Sequence, residues 1–302
     1  MKVLVTGTSG QVVSSLREQS ERAGHTMVAL GRPELDLSGP ISSEMIAAHG
    51  PDVIVSAAAY TAVDKAESEP DLAFSVNAAA PGQLAAIART LDIPIVHLST
   101  DYVFDGTKAS AYVETDPTGP RSVYGASKLA GEQAVIESGA KHAILRTAWV
   151  YSPFGNNFLK TMLRLAADRD EIRVVSDQHG TPTSALDIAT GILQVAANLV
   201  DGSVAGQEGV FHMVGQGEAS WADFAEAIFK LSAERDGPSA RVVRIGTTDY
   251  PTPAARPGNS RLVSDKLARL HHVRLPFWQE STRTVIERLL DGTNTNNTEA
   301  RQ

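Results

Sequence analysis

MKVLVTGTSGQVVSSLREQSERAG, residues 1–24, opens with an apolar, β-rich run (Lys2–Gly7) and turns at once into a segment of helical spacing. Val12, Val13, Leu16 and Ala23 recur near that spacing, and Gly24 is a fitting stop signal. Between strand and helix stand Gly7 and Gly10. A glycine loop in this setting lets the backbone approach a pyrophosphate, while the free N–H groups of the helix N-terminus face the anion. Gly7, Ser9, Gly10, Gln11 and Val12 are therefore expected to bind a dinucleotide, although a plain strand–turn–helix without a ligand fits the same residues. The position of a third glycine, which would let helix and strand close up, is Val13.

Outward from this unit the alternation continues. Apolar runs at Thr26–Gly31, Asp52–Ala59, Ile93–Thr100 and Ala143–Tyr151 are separated by amphipathic or Ala-rich segments, among them Pro70–Leu91 and Ala126–Ser138. Unbroken Val/Ile/Leu strands are buried on both faces, the habit of parallel sheets covered by helices. The fold class expected is α/β, a Rossmann-type doubly wound parallel sheet over residues 1–150. Beyond Tyr151 the rhythm changes, with turn-rich and Pro-rich stretches between helices at Phe158–Ala167, Trp221–Ser232 and Trp278–Leu290. Residues 151–183 and 200–290 are expected to build a smaller α/β substrate lobe, with 184–199 returning to the main sheet and 291–302 a disordered tail.

The 302 residues include 27 Lys+Arg, 35 Asp+Glu and no cysteine, a formal net charge of −8. That balance argues against nucleic acid as the main partner. The missing cysteines exclude disulfides, thiol catalysis and Cys-ligated metal centres. No run approaches ~18 apolar residues, so no membrane span is expected, and the N-terminus lacks the pattern of a signal peptide. A cytoplasmic globular enzyme is the expectation. His271 and His272 are adjacent, point in different directions and read as surface residues; no metal site is expected.

YGASK places Tyr124 and Lys128 one helical turn apart, on the same face. Reduction of a ketone leaves charge on oxygen that must be protonated, and a phenol of pKa ≈ 10 serves better when an ammonium nearby lowers it. A surface Tyr/Lys pair has the same spacing. Thr100, in LSTDYVFDG (Leu98–Gly106), ends an apolar strand at the carboxyl edge of the sheet, where ligands bind in such folds. Arg32, after the second strand, suits a 2′-phosphate and so NADPH; a solvated surface arginine fits as well. Asp36 and Leu37 are candidates to lie near an adenine, though a solvated loop carboxylate fits Asp36 equally, and Ala57, Ala58, Ala59 and Tyr60 end a strand where the backbone can run close beside a cofactor.

Taken together, GTSGQV, AAAYTAVDKAE, the NAAA stretch at Asn77, LSTDYVFDG, YGASKLAGE, RTAWVY, DQHGTPT and ARPGNSRL run in order from residue 7 to 262. The chain resembles the dTDP-4-dehydrorhamnose reductases of the extended short-chain dehydrogenase/reductase superfamily. The resemblance implies reduction of the 4-keto group of a dTDP-4-keto-6-deoxy sugar with NADPH, or NADH, and a nucleotide-sugar substrate. It implies Tyr124 as proton donor, Lys128 as the residue that lowers its pKa and binds the nicotinamide ribose, and Thr100 as a substrate hydrogen-bond donor. Asn77 falls near the cofactor; Asp101, Tyr102, Val103 and Trp149 fall beside the sugar; Arg256, Asn259 and Arg261 fall at the nucleotide end. Some members dimerise through magnesium held by a glutamate of the first helix. Here that neighbourhood is Ser14-Ser15, so a homodimer is compatible with the resemblance but the metal is not expected. Reduction of a related nucleotide-linked keto sugar, and a non-catalytic NADP-binding subunit, are the competing readings.

Overall fold

The computed structural model describes residues 1–299, with side chains through Asp291. The first half alternates as its apolar runs require. The order is β1 (Lys2–Thr6), α1 (Gln11–Arg22), β2 (Thr26–Leu30), α2 (Ser43–Ala48), β3 (Val53–Ser56), α3 (Val63–Ala66), α4 (Pro70–Phe74) and α5 (Ala80–Thr90), the last two joined by a π-helical turn at Ser75–Ala79. Then follow β4 (Ile95–Thr100), a 3₁₀ turn at Asp101–Val103, α6 (Val123–Glu137) and β5 (His142–Thr147). The second half comprises β6 (Val150–Tyr151), α7 (Phe158–Ala166), β7 (Glu171–Val175), β8 (His179–Gly180), β9 (Thr183–Ser184), α8 (Ala185–Asp201), β10 (Gly209–His212), β11 (Ala219–Ser220), α9 (Trp221–Ala233), β12 (Arg241–Ile245), α10 (Asp265–His271) and α11 (Trp278–Glu299).

Six strands form one parallel sheet in the order β10-β5-β4-β3-β1-β2, the doubly wound architecture that the alternation predicts. Side chains alternate across it. Val3, Val5, Val53, Val55, Val96 and Leu98 pack with α1 and α8 on one face, while Leu4, Ile54, Ile95 and Ile144 pack with α5 and α6 on the other. A separate apolar cluster, with Phe224, Ile228, Leu159, Ile172 and Val285 at its centre, holds α7, β7, α9 and α11 together.

Three segments depart from the expectation. The sixth strand, β10, lies within the stretch 200–290 assigned to the smaller lobe, yet pairs with β5 because Phe211 is fully buried in the main core. The run Ala143–Tyr151 is two strands, because Trp149 adopts φ 49° and breaks the pairing between β5 and β6. Helix α11 runs to Glu299, past the expected end at Leu290 and into the tail expected to be disordered; no proline interrupts its backbone hydrogen bonding. Residues 300–302 of that tail lie outside the described residues.

Candidate active site

The site assembles at the carboxyl ends of β1, β3, β4 and β5. Gly7 and Gly10 have φ of 97° and 104°, values that L side chains rarely adopt, and they turn the chain from β1 into α1. Gly10 is the N-cap of α1 and supplies no side-chain cap; no acidic residue stands in the first turn. The first intrahelical bond formed there is Ser14 N–H to the Gly10 carbonyl, which leaves the N–H groups of Gln11, Val12 and Val13 for an anion. These residues fit a dinucleotide pyrophosphate. Val13 is tolerated because Gly7 has no Cβ: its Cγ2 lies 3.3 Å from where one would stand, and its side chain joins the core between α1 and β1. Ser9 and Gly10 are exposed, and Gln11 reaches across to donate to the Val150 carbonyl and accept from Ser152. Ala57 and Ala58 donate their backbone N–H groups to Thr6 Oγ1, which seats the end of β3 against β1. Arg32 is exposed at the end of β2. The Asp36 carboxylate accepts from the Ser38 N–H and hydroxyl, an interaction that lowers its pKa and ties it into its own turn, while Leu37 packs against the apolar core.

Helix α6 carries Tyr124 and Lys128 and starts three residues earlier than its periodicity suggests. The Ser122 hydroxyl caps it by accepting from the Gly125 N–H at 3.1 Å. Two glycines let the helix sit close: a Cβ on Gly125 would overlap the Tyr102 carbonyl oxygen, and one on Gly131 would overlap that of Asn77. Tyr124 meets Tyr102 edge to face with ring centroids 5.5 Å apart, and the Thr100 hydroxyl acts on its phenol to lower the pKa. Thr100 Oγ1 itself donates to Asp101 Oδ1 at 3.0 Å. The three expected residues thus converge at the end of β4.

Their electrostatics differ from the expectation. Burial pushes the Tyr124 phenol up to about 12; the Thr100 bond opposes this and the Asp101 charge adds to it. Lys128, 3 % exposed, does not turn to the phenol: its Nζ donates to the Leu98 carbonyl at 2.6 Å and lies 3.5 Å from His97 Nε2. Burial lowers Lys128 to about 8, against the pull of Glu132 one turn on. Burial likewise raises Asp101 to about 6, with the nearby Ser260 and Thr100 hydroxyls opposing. Desolvation of the phenolate is thus the dominant influence on the phenol.

Asn77, expected near the cofactor, is fully buried in the π-helical turn with its amide already engaged. It accepts from the Tyr60 N–H at 2.8 Å and donates to the Tyr60 carbonyl and to Ser127 Oγ, so it braces α6 against the end of β3. Tyr60 turns its hydroxyl to Glu69. Val103 is buried in the wall behind the 3₁₀ turn.

A cleft of about 770 Å³ opens beside Tyr102 and runs past Trp149, Gln178 and Arg256 toward α7 and β12. The expected sugar-facing Trp149 lines it, stacked on Trp221 with centroids 3.5 Å apart and planes at 9°. Trp221 reads in the sequence only as the start of an amphipathic helix; nothing local marks it as a partner of a residue 72 positions earlier. Arg256 lines the same cleft and pairs with Asp64 at 2.7 Å. Asn259 and Arg261 do not serve the cleft. Asn259 is buried and donates to the Lys108 and Ser110 carbonyls, while Arg261 bonds Asn259, Glu218 and the Ala109 carbonyl. Their polar groups are consumed in fastening two loops together. Among the described residues no group of three or more His, Cys, Asp or Glu could hold a metal ion. His271, expected on the surface, is fully buried, with Nε2 against the Gln207 carbonyl at 2.9 Å. No helix of the described residues is long and apolar enough to cross a membrane.

Known proteins resemble this chain over nearly its whole length. The model of the RmlD substrate binding domain matches residues 1–290. The dTDP-4-dehydrorhamnose reductase of Sinorhizobium fredii is 51% identical over 96% of this chain and 98% of its own; that of Escherichia coli K12 is 40% identical over 97% and 99%. Among solved structures, a dTDP-4-dehydrorhamnose reductase from Clostridium acetobutylicum superposes with a TM-score of 0.89 at 37% identity, covering 96% of this chain and all of that one. The Bacillus anthracis dTDP-4-dehydrorhamnose reductase in complex with NADP gives 0.86 at 33% identity, with 95% and 99% covered.

Proposed function

The chain belongs to the family of the RmlD substrate binding domain, and from that membership we propose that it reduces the 4-keto group of dTDP-4-dehydro-L-rhamnose to give dTDP-L-rhamnose. NADPH is the donor of choice, with NADH as an alternative; a relative of this chain is solved with NADP, and Arg32 stands free of the sheet where a 2′-phosphate would be met. The single observation that carries the reading is the convergence of Thr100, Tyr124 and Lys128 at the end of β4, next to Tyr102, which lines the 770 Å³ cleft.

The reduced nicotinamide, when bound, supplies the hydride. What the chain's own residues do follows from their environment. A phenol at about 12 is protonated at neutral pH, so Tyr124 is ready to donate to an oxygen that gathers charge as the ketone is reduced. An alkoxide is a stronger base than a phenolate, so the transfer runs downhill. Thr100, whose single hydroxyl proton lies on Asp101 Oδ1 in this structure, would turn it to the same oxygen and share the developing charge. Lys128, anchored by the Leu98 carbonyl, keeps a positive charge behind the phenol that would stabilise it after the proton has left. Arg256 and Trp149 both line the cleft; in this reading Arg256 would turn from Asp64 to meet the diphosphate, and Trp149 would cover the sugar. The smaller lobe around α7, β7, α9 and α11 holds the nucleotide in this reading.

The test is NADPH oxidation by the purified chain with dTDP-4-dehydro-L-rhamnose, compared with UDP-linked and other dTDP-linked 4-keto sugars. Turnover that favours the rhamnose precursor supports the reading. Dinucleotide binding without turnover of any keto sugar sinks it.

A further inference from the structure

Behind the reacting face, β4 and α6 meet through two polar rungs. Along β4 the side chains at 97 and 99 point to the same face, and along α6 residues 128 and 132 stand one turn apart. Two strand residues rise ~6.6 Å and one helical turn ~5.4 Å, so the rungs align. One rung is Ser99 Oγ donating to Glu132 at 2.5 Å, with Arg146 of β5 gripping the same carboxylate. The other is His97 against Lys128.

His97 is 1 % exposed and both ring nitrogens face partners: Nδ1 lies 3.1 Å from Ser56 Oγ on β3, and Nε2 lies 3.5 Å from Lys128 Nζ. An ammonium only donates, so the ring must offer Nε2 as an acceptor and carry its proton on Nδ1, where the serine hydroxyl accepts it. Lys128 then has one N–H on the Leu98 carbonyl and one directed at His97. We propose that His97 is a positioning residue of the reductase site: with Ser56 fixing its tautomer, it holds the Lys128 ammonium in place one helical turn from Tyr124.

The groups that act on Lys128 can be named. Glu132 from its own helix favours the ammonium and is itself bonded by Arg146 and Ser99; Tyr124 lies one turn back; His97 comes from β4. Burial and the Lys128 charge hold His97 well below the ordinary histidine range, so the ring is neutral throughout the working pH and can accept. This inference rests on the proposed reductase function for its kinetic readout, and a direct readout separates the two.

His97→Leu keeps the bulk and removes both polar atoms. The expected result is a fall in kcat of about tenfold or more, with the alkaline limb of the kcat–pH profile moved down by roughly 0.5–1 pH unit, because an ammonium that loses an acceptor is less favoured. His97→Gln, whose Oε1 reaches toward the place of Nε2, should recover most of both. Ser56→Ala, which frees the tautomer, should shift the limb in the same direction by less, and it carries the test if His97→Leu fails to fold. Independently of turnover, the ¹³Cε resonance of Lys128, identified by its loss in Lys128→Met, should titrate at lower pH in His97→Leu than in the parent. If the parent turns over keto sugar and neither limb nor resonance moves in His97→Leu, or if the glutamine variant is no better than leucine, His97 is packing only. If the resonance moves while the parent reduces no keto sugar, His97 holds Lys128 as argued and it is the function that must be revised.

Discussion

Gly131 of α6 rests directly on the main-chain carbonyl of Asn77, so close that a Cβ at residue 131 would overlap the oxygen. The same asparagine bonds Ser127 on α6 with its side chain. Backbone contact and amide bracket together set how deeply the helix that carries Tyr124 and Lys128 sits on the sheet.

Gly131→Ala therefore acts against its helix propensity. In an open helix the change gains up to ~1 kcal/mol. Here overpacking should destabilise by ~1–3 kcal/mol and lower kcat, because Tyr124 rides on the displaced helix. Urea unfolding checks the sign: a variant as stable as the parent would mean that the helix shifts freely.

Glu132 and Arg146 form a two-pronged ion pair with side chains 2 % and 5 % exposed. Removing one partner leaves a buried charge uncompensated, so Glu132→Gln should destabilise by ~3–5 kcal/mol. Glu171→Gln, which breaks a pair with Arg241 that is 53 % and 67 % exposed, should change stability by less than ~1 kcal/mol. Thermal unfolding of both variants side by side measures the contrast.

Asp101 is raised from 3.8 to about 6, chiefly by burial. The folded chain holds this proton more tightly than the unfolded one, so the group's stabilising contribution is present below about pH 4 and is lost as pH rises through about 6. Asp101→Asn should therefore raise the melting temperature at pH 8, by as much as ~3 kcal/mol of stability, and leave it nearly unchanged at pH 4. Equal effects at both pH values would contradict the assignment.

Tyr124→Phe should lower kcat by ~10²–10⁴-fold with little change in folding, since the ring packing on Tyr102 is kept and only the proton is lost. Thr100→Val keeps the β-branched shape and should cost ~10–100-fold, the worth of a hydrogen bond to a charged group. Steady-state NADPH oxidation gives both values; a phenylalanine variant with full rate would remove Tyr124 from the reaction.

Much of the architecture is legible because its signals are local. The unbroken apolar strands, the glycine turn of residues 7–10 and the four-residue spacing of Tyr124 and Lys128 each need only a few neighbours to be read. Trp149 shows where this stops. Its run looks like one strand, and the φ of 49° that breaks it is accompanied by stacking on Trp221, far along the chain. Asn259 and Arg261 show the same limit: as loop residues they look available to a ligand, and it is the arrival of residues 108–110 and of Glu218 that engages them.

By itself, then, the order of residues determines the parallel sheet, the anion-ready start of α1 and the presence of a Tyr–Lys pair on one helical face, because backbone geometry and side-chain period are properties of short segments. What each polar group finds opposite it belongs to the tertiary structure. That the lysine turns to Leu98 and His97 rather than to the phenol, and that burial holds Tyr124 protonated, follow from contacts between residues more than 20 positions apart. Desolvation is a property of everything packed around a group, and no spacing along the chain encodes it.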